Sequence, residues 1–330
     1  MMLIFFVKLE NRTAQLDIDD NLNPIISLNV NNSKEKIKLW FNKRDGLYYF
    51  FLPSFVSDNK IYCDELKDYI TLEGKTLSRG SSFQWDEDKV YHLSCGQKDF
   101  QIVFMKSSNI PTVFVGTESK SMEYLNADKE RIETGNITVI QQSKNIEYKG
   151  ELKKISARGN STFDYKDKKA YSFSLSDGFP LCGMDAGKKW NLLAMYYEYD
   201  KIHTKLVYDM AEILEMEYNI DCTWVDLYCN GEYQGLYLLT EAVSVAEGRV
   251  EILDQEKTEG VIEDISGGYL LEKDIQVHLE EEGNGFITEQ SGYPFIIKSP
   301  NPASKQQTDY ISSYIQNIEN LLLAGDKEYK

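Results

Sequence analysis

The sequence predicts an α+β fold, an antiparallel β-sandwich-like N-terminal domain followed by a mixed α+β domain, and three observations predict it. Short runs of Ile, Val, Phe, Tyr and Leu separated by turn clusters fill residues 1–110. Longer strand patterns follow from residue 111 onward, and two later segments place apolar residues at three- and four-residue steps. With 330 residues and an apolar fraction of 42%, each of two domains can bury a core of its own. The boundary is expected near Ser107–Pro111, giving domains 1–110 and 111–330.

Strands are predicted at Met2–Leu9, Ile25–Val30, Ile37–Phe41, Leu47–Leu52, Tyr91–Leu93 and Phe100–Met105, with turns at Asp17–Pro24, Asn42–Gly46 and Ser78–Ser82. The aromatic run Tyr48, Tyr49, Phe50, Phe51 and Phe55 suits either the sandwich core or an exposed surface on which a sugar ring stacks. Further strands are expected at Thr112–Gly116, Ile137–Gln141, Tyr148–Ala157, Ala170–Leu175 and Trp190–Met195. Asp200–Met216 then reads as a helix whose Ile202, Leu206, Met210, Ile213 and Leu214 form one inward stripe. Cys222–Tyr228 and Gln234–Thr240 flank Asn230-Gly231, residues that tolerate positive φ, and so form a hairpin. Its simple alternation groups Val225, Leu227 and Cys229 with Leu236, Leu238 and Thr240, and leaves Asp226, Tyr228, Tyr237 and Leu239 on the other face. After the apolar strand Gly268–Leu271, a last strand at Phe295–Lys298 precedes the amphipathic helix Ala303–Ala324.

Charge excludes several functions. The net charge is −17, and 16 of those negative charges fall after residue 110, where 38 acidic residues face 22 basic ones. Such a surface repels phosphate backbones and anionic lipid, so neither nucleic-acid binding nor membrane insertion is expected. The opening run Met1–Val7 is too short to span a bilayer and lacks the flanks of a signal peptide. Five cysteines without C-x-x-C spacing predict reduced thiols and no structural disulfides, and three isolated histidines argue against zinc.

Phosphate-binding Walker A, Rossmann and nucleophile-elbow motifs are all missing from the sequence. What remains is Arg158-Gly159-Asn160-Ser161-Thr162, followed by Lys168-Lys169. An arginine fork and a Gly-Asn turn with exposed N–H groups can hold an anion; the same residues also make an ordinary turn with an arginine ion pair.

These residues belong to an ordered series. Arg158–Thr162, Lys168-Lys169-Ala170-Tyr171, Leu181-Cys182-Gly183-Met184, Trp190–Ala194, Val225–Glu241 and Gly267–Glu272 together resemble the CotH kinase family, the spore coat protein H-like proteins, from about Ile110 to the C-terminus. Residues 1–110 resemble the β-rich modules that precede this domain in Firmicutes. The resemblance implies a distantly kinase-like lobe and an atypical protein-serine kinase using ATP with Mg²⁺ or Mn²⁺, acting on coat or surface proteins. It places Arg158, Asn160 and Lys169 at the nucleotide, with the Asp200–Met216 helix as the αC equivalent and Asp209 or Glu212 as the partner of Lys169. His203-Thr204 stands where many members have Arg-Asn. The metal-holding Asp segment of the family is expected beyond Lys330, which would leave this chain a catalytically incomplete piece; Glu241, Glu272 and Asp274 are the carboxylates otherwise available for a metal. A spore-coat or cell-surface location follows from the resemblance, and the acidic surface suits a Ser-rich basic partner. The other function class is a non-catalytic coat or surface interaction protein that binds through its β-sandwich.

Overall fold

The computed structural model describes residues 13–63, 70–164, 167–256 and 264–324. The strand predicted at Met2–Leu9 lies outside them. Two compact units divide the chain, Met1–Ala242 and Val243–Lys330.

The first unit begins with eleven strands among its described residues: β1 (Ala14–Ile18), β2 (Pro24–Val30), β3 (Ser33–Lys38), β4 (Trp40–Asn42), β5 (Leu47–Leu52), β6 (Lys60–Cys63), β7 (Ile70–Leu72), β8 (Lys75–Leu77), β9 (Ser81–Gln84), β10 (Val90–Cys95) and β11 (Lys98–Lys106). They form two sheets, β3-β2-β1-β6-β9 and β4-β5-β11-β10-β7-β8. Their apolar faces meet in one core, with Leu16, Ile26 and Leu28 from one sheet and Phe50, Leu52 and Phe104 from the other. This is the expected sandwich, with two parallel pairs, β1 with β6 and β5 with β11, among its antiparallel ones.

The predicted strand Ile37–Phe41 is in fact a crossing point. It breaks at Leu39, so that β3 ends in one sheet and β4 starts in the other. The predicted turn at Asp17–Pro24 is shorter, because Asp19 Oδ1 accepts the N–H groups of Asn21 and Asn23 and closes the loop only after β1 has ended. The predicted turn at Ser78–Ser82 overlaps β9, a short polar strand without an apolar signature. The aromatic run divides by alternation: Phe50 and Phe55 are core, while Tyr49 and Phe51 turn outward beside the exposed Trp40.

The rest of the unit is a closed seven-stranded barrel of β12 (Thr112–Thr117), β13 (Glu133–Ile140), β14 (Ile146–Arg158), β15 (Ala170–Phe179), β16 (Gly187–Leu193), β17 (Cys222–Cys229) and β18 (Glu232–Glu241), in the order β12-β13-β14-β15-β16-β18-β17. Among the described residues three helices accompany it: α1 (Met122–Asn126), α2 (Ser161–Asp164) and α3 (His203–Ile213). Asn230 and Gly231 take φ of 52° and 84°, as the predicted hairpin requires. A bulge at Gln234 shifts the pairing by one residue, however, so that Val225 opposes Tyr237 and Leu227 opposes Gly235. Val225, Leu227, Cys229, Tyr237 and Leu239 therefore share the barrel interior, correcting the grouping that simple alternation gives.

The stripe on α3 is also corrected. Ile202, Leu206, Met210, Ile213 and Leu214 are between 49% and 78% exposed, so the stripe does not point into a core. Periodicity shows that one helix face is apolar; it carries no information about what lies opposite.

Barrel and sandwich share a seam. Phe114, Ile140 and Tyr228 of the barrel belong to the sandwich core, Tyr228 Oη donates to the Phe51 carbonyl at 2.8 Å, and the Lys38 N–H donates to the Gly231 carbonyl at 2.8 Å. Asp226 is 1% exposed there; Tyr233 Oη donates to its Oδ1 at 2.8 Å, and its Oδ2 has no hydrogen-bond partner among the described residues. Burial raises the Asp226 pKa above the ordinary carboxylate value. Protonated below that value, Asp226 contributes stability that is lost as pH rises through its raised folded pKa. Asp226→Asn is accordingly expected to stabilise the unit at pH 7 by about 1 kcal/mol and to flatten the loss above pH 4, as read by urea denaturation at pH 4 and 7.

The second unit contains β19 (Leu270–Lys273), α4 (Gln276–Glu282), β20 (Gly285–Ile287), β21 (Pro294–Ser299) and α5 (Lys305–Ala324), with its strands ordered β19-β21-β20. Buried Asn284 donates from Nδ2 to the Ile297 and Pro300 carbonyls and accepts the Ala303 N–H on Oδ1, which fixes the approach to α5. Ser304 and Gln307 then exchange reciprocal bonds as a cap. No helix among the described residues is long and apolar enough to cross a membrane.

Candidate functional site

Antiparallel registers bring the sequence-predicted anion residues to one end of the barrel. Arg158 opposes Ala170, Tyr171 opposes Leu192, and Leu193 opposes Leu238, so the end of β14, the start of β15 and the end of β16 share a rim. The rim encloses a cavity of about 260 Å³ lined by Arg158, Gly159, Thr162, Glu198 and Thr204 among others. Gly159 has φ of 102°, and a Cβ there would lie 2.0 Å from Thr162 Oγ1, so only glycine allows this turn. Asn160 ends it, its carbonyl accepting the N–H groups of Phe163 and Asp164 at 2.9 and 3.0 Å and so starting α2.

Lys168 and Lys169 diverge. The Lys169 ammonium donates to the Phe163 carbonyl and lies 4.6 Å from the centre of the Phe163 ring. Lys168 Nζ donates to the Leu236 carbonyl at 2.5 Å and sits 4.2 Å from the centre of the Tyr237 ring. Burial, aided by the charge of Lys201, pulls its pKa down to about 8. Lys201 itself donates to the Met195 and Glu198 carbonyls at 2.7 and 2.6 Å. Arg158 is near enough to Tyr208 of α3 that its charge opposes the upward push of burial on that phenol.

The carboxylates assigned to Lys169 by resemblance are elsewhere. Asp209 is paired with Lys205 one turn earlier on α3, and Asp209 and Glu212 line a different cavity of about 240 Å³ with Cys182 and Cys222. Burial raises those two thiols to about 12 and about 11. The structure thus does not bring Lys169 together with Asp209 or Glu212.

The three metal candidates are divided between the two units. Glu241 is buried at the end of β18, where its Oε2 accepts the Asp221 N–H at 3.3 Å. Glu272 and Asp274 belong to the second unit, Glu272 3.4 Å from Lys298 and Asp274 with both oxygens 3.0 Å from His278 Nδ1. The His278 partner is the chief reason why the Asp274 pKa is lowered.

One cluster escaped the sequence reading. Donor atoms of Glu198, Asp200 and His203 lie within 4.8 Å of one another, a proximity foreshadowed only by their E-x-D-x-x-H spacing. It is best understood as the start of α3: Ile202 offers no side-chain cap, and Glu198 Oε1 accepts the Thr204 N–H at 3.1 Å and the Thr204 hydroxyl. The positive end of a helix dipole also disfavours a cation there.

Chemically, the cavity offers an arginine and a glycine turn, which suit phosphate binding rather than nucleophilic attack, while the ammonium groups of Lys168 and Lys169 donate to the Leu236 and Phe163 carbonyls outside its lining. A search of curated proteins returns no match. The family model of the CotH kinase protein matches residues 155–330, beginning in β14 three residues before Arg158. Because that match spans more than half of the 330 residues, the chain belongs to the CotH kinase protein family.

Proposed function

We propose that the barrel rim binds the phosphates of ATP and that the protein works as an ATP-dependent protein-serine phosphotransferase on coat or surface proteins. The observation that carries this reading is Lys168. Its side chain is half-buried and has only a carbonyl and an aromatic ring as partners among the described residues. A half-buried cation without a counter-ion carries part of the cost of leaving water, and a bound phosphate would offset it. Arg158 would supply the planar fork and Gly159 the close backbone approach, whereas Lys169 would act from the far side of the turn by holding α2 through Phe163.

A divalent metal would neutralise charge on the transferring phosphoryl group. Of the carboxylates named for it, Glu272 and Asp274 are paired with Lys298 and His278, and Glu241 accepts the Asp221 N–H. The contribution of this chain's described residues is therefore phosphate binding and orientation. A second reading, a coat or surface interaction protein, is favoured by the edge strand β4, where Trp40 and Phe41 are 43% and 46% exposed.

The test is thermal unfolding with ATP and Mg²⁺ or Mn²⁺. Ligand at a hundredfold excess over Kd stabilises by about 2.7 kcal/mol, a rise of roughly 5–10 °C for a unit of this size. Lys168→Met is expected to remove most of the rise and Lys169→Ala only part of it. An unchanged Tm at millimolar ATP would sink the nucleotide reading.

A further inference from the structure

A cavity of about 600 Å³ lies on the seam between sandwich and barrel. Its charge is opposite to that of the chain. β3 forms one wall, an edge strand whose Ser33 and Ile37 are buried, so that Lys34, Lys36 and Lys38 share the outer face at intervals of about 6.8 Å. All three line the cavity, and Lys120 faces it from the loop after β12.

The two carboxylates in the lining are occupied locally. Asp19 accepts the N–H groups of Asn21 and Asn23, which hold its pKa down against burial, and Glu35 Oε1 accepts the Ser33 hydroxyl at 2.8 Å. Lys38 has an exposed pairing with Glu232 at 3.4 Å. Lys36 and Lys120 have no side-chain hydrogen bond or ion pair among the described residues. Between the walls, Asn230 and Thr117 bond to each other and so leave the floor polar.

We infer that this cleft is a docking site for an acidic, extended peptide segment. Carboxylates at every second residue of an extended chain repeat at the same pitch as Lys34, Lys36 and Lys38, which gives register as well as attraction. Strand addition at this edge is blocked, because the Lys38 N–H is spent on the Gly231 carbonyl and the Lys36 carbonyl lies against Gly231. Recognition therefore runs through side-chain charge and weakens with salt. A long polyanion is disfavoured because the remainder of a chain of net charge −17 repels it. The proposal goes beyond the nucleotide reading and does not rest on it, since docking here requires neither ATP nor metal.

The experiment is fluorescence anisotropy with the full chain and a labelled ten-residue peptide of alternating Glu and Ser, at 50 and 200 mM NaCl, without nucleotide. Binding that weakens at the higher salt is expected. Lys36→Glu combined with Lys120→Glu should weaken it about tenfold with an unchanged Tm, while Lys75→Glu on the other sheet should not. The inference is overturned if the wild-type chain does not bind the peptide, if the double variant binds it equally well, or if a Lys-Ser peptide binds as tightly. Full displacement by millimolar inorganic phosphate would make this a small-anion site, and preference for heparin a polysaccharide site; either result also overturns it.

Discussion

Tyr228→Ala is expected to destabilise the first unit by about 3–5 kcal/mol, the range for deleting a fully buried aromatic side chain. Tyr228 has no exposed surface, stacks on Phe114 with ring centres 4.9 Å apart, and ties the barrel to the sandwich through its bond to the Phe51 carbonyl. Because the residue sits in the sandwich core while its strand belongs to the barrel, the loss should be felt by both. Trp85 and Trp190 are fully buried, one in each core, and make convenient probes. Tryptophan fluorescence and far-UV dichroism in urea should report one coincident transition, shifted to lower denaturant in the variant. Two separated transitions in the wild type would show that residues 1–110 fold as an independent module. Tyr228→Phe, which keeps the ring, should cost only about 1 kcal/mol.

The second large effect concerns Lys168, and its sign is the reverse. Below about pH 8 the lysine is protonated in both states, and the folded protein bears the cost of a partly desolvated cation. Between about 8 and the unfolded value of 10.5, the unfolded chain keeps a proton that the folded chain has lost, so stability rises with pH across that window. Lys168→Met removes both the cost and the pH response. The variant should gain about 1–2 kcal/mol at pH 7, after allowance for the lost bond to the Leu236 carbonyl, and should approach the wild type by pH 10. Denaturation curves at pH 7, 8.5 and 10 decide the matter. A variant less stable at pH 7, with the same pH slope as wild type, would show that Lys168 is a structural lysine. A variant that is more stable yet fails to bind ATP would identify a residue whose charge is kept for a ligand at the expense of the fold.

Much of this fold is legible locally. Asn230-Gly231 demands positive φ wherever it is placed, so the hairpin is visible without any tertiary information. The long apolar strands of the barrel, the Arg158-Gly159-Asn160 turn and the final helix are equally plain, because alternation, a glycine turn and a 3.6-residue period are properties of a short stretch of chain. β1 also alternates, with Ala14, Leu16 and Ile18 buried, but its last residues coincide with a polar Asp-rich run that resembles a turn. β7, β8 and β9 are three or four residues long, too short for any pattern to rise above its surroundings.

The candidate site divides in the same way. Sequence alone determined an α+β chain with a sandwich, the basic turn at Arg158, the lysine pair at 168–169 and a family whose residues run in the right order. Only the tertiary structure decided which lysine packs over the Tyr237 ring, that Asp209 belongs to Lys205, that a bulge at Gln234 turns Tyr237 into the barrel, and that the apolar face of α3 is exposed. The reason is physical. Periodicity and turn chemistry are set by neighbours in the chain, whereas burial, ion pairing and pKa depend on the residues that strand register brings across the barrel, and one bulged residue is enough to change which residues those are.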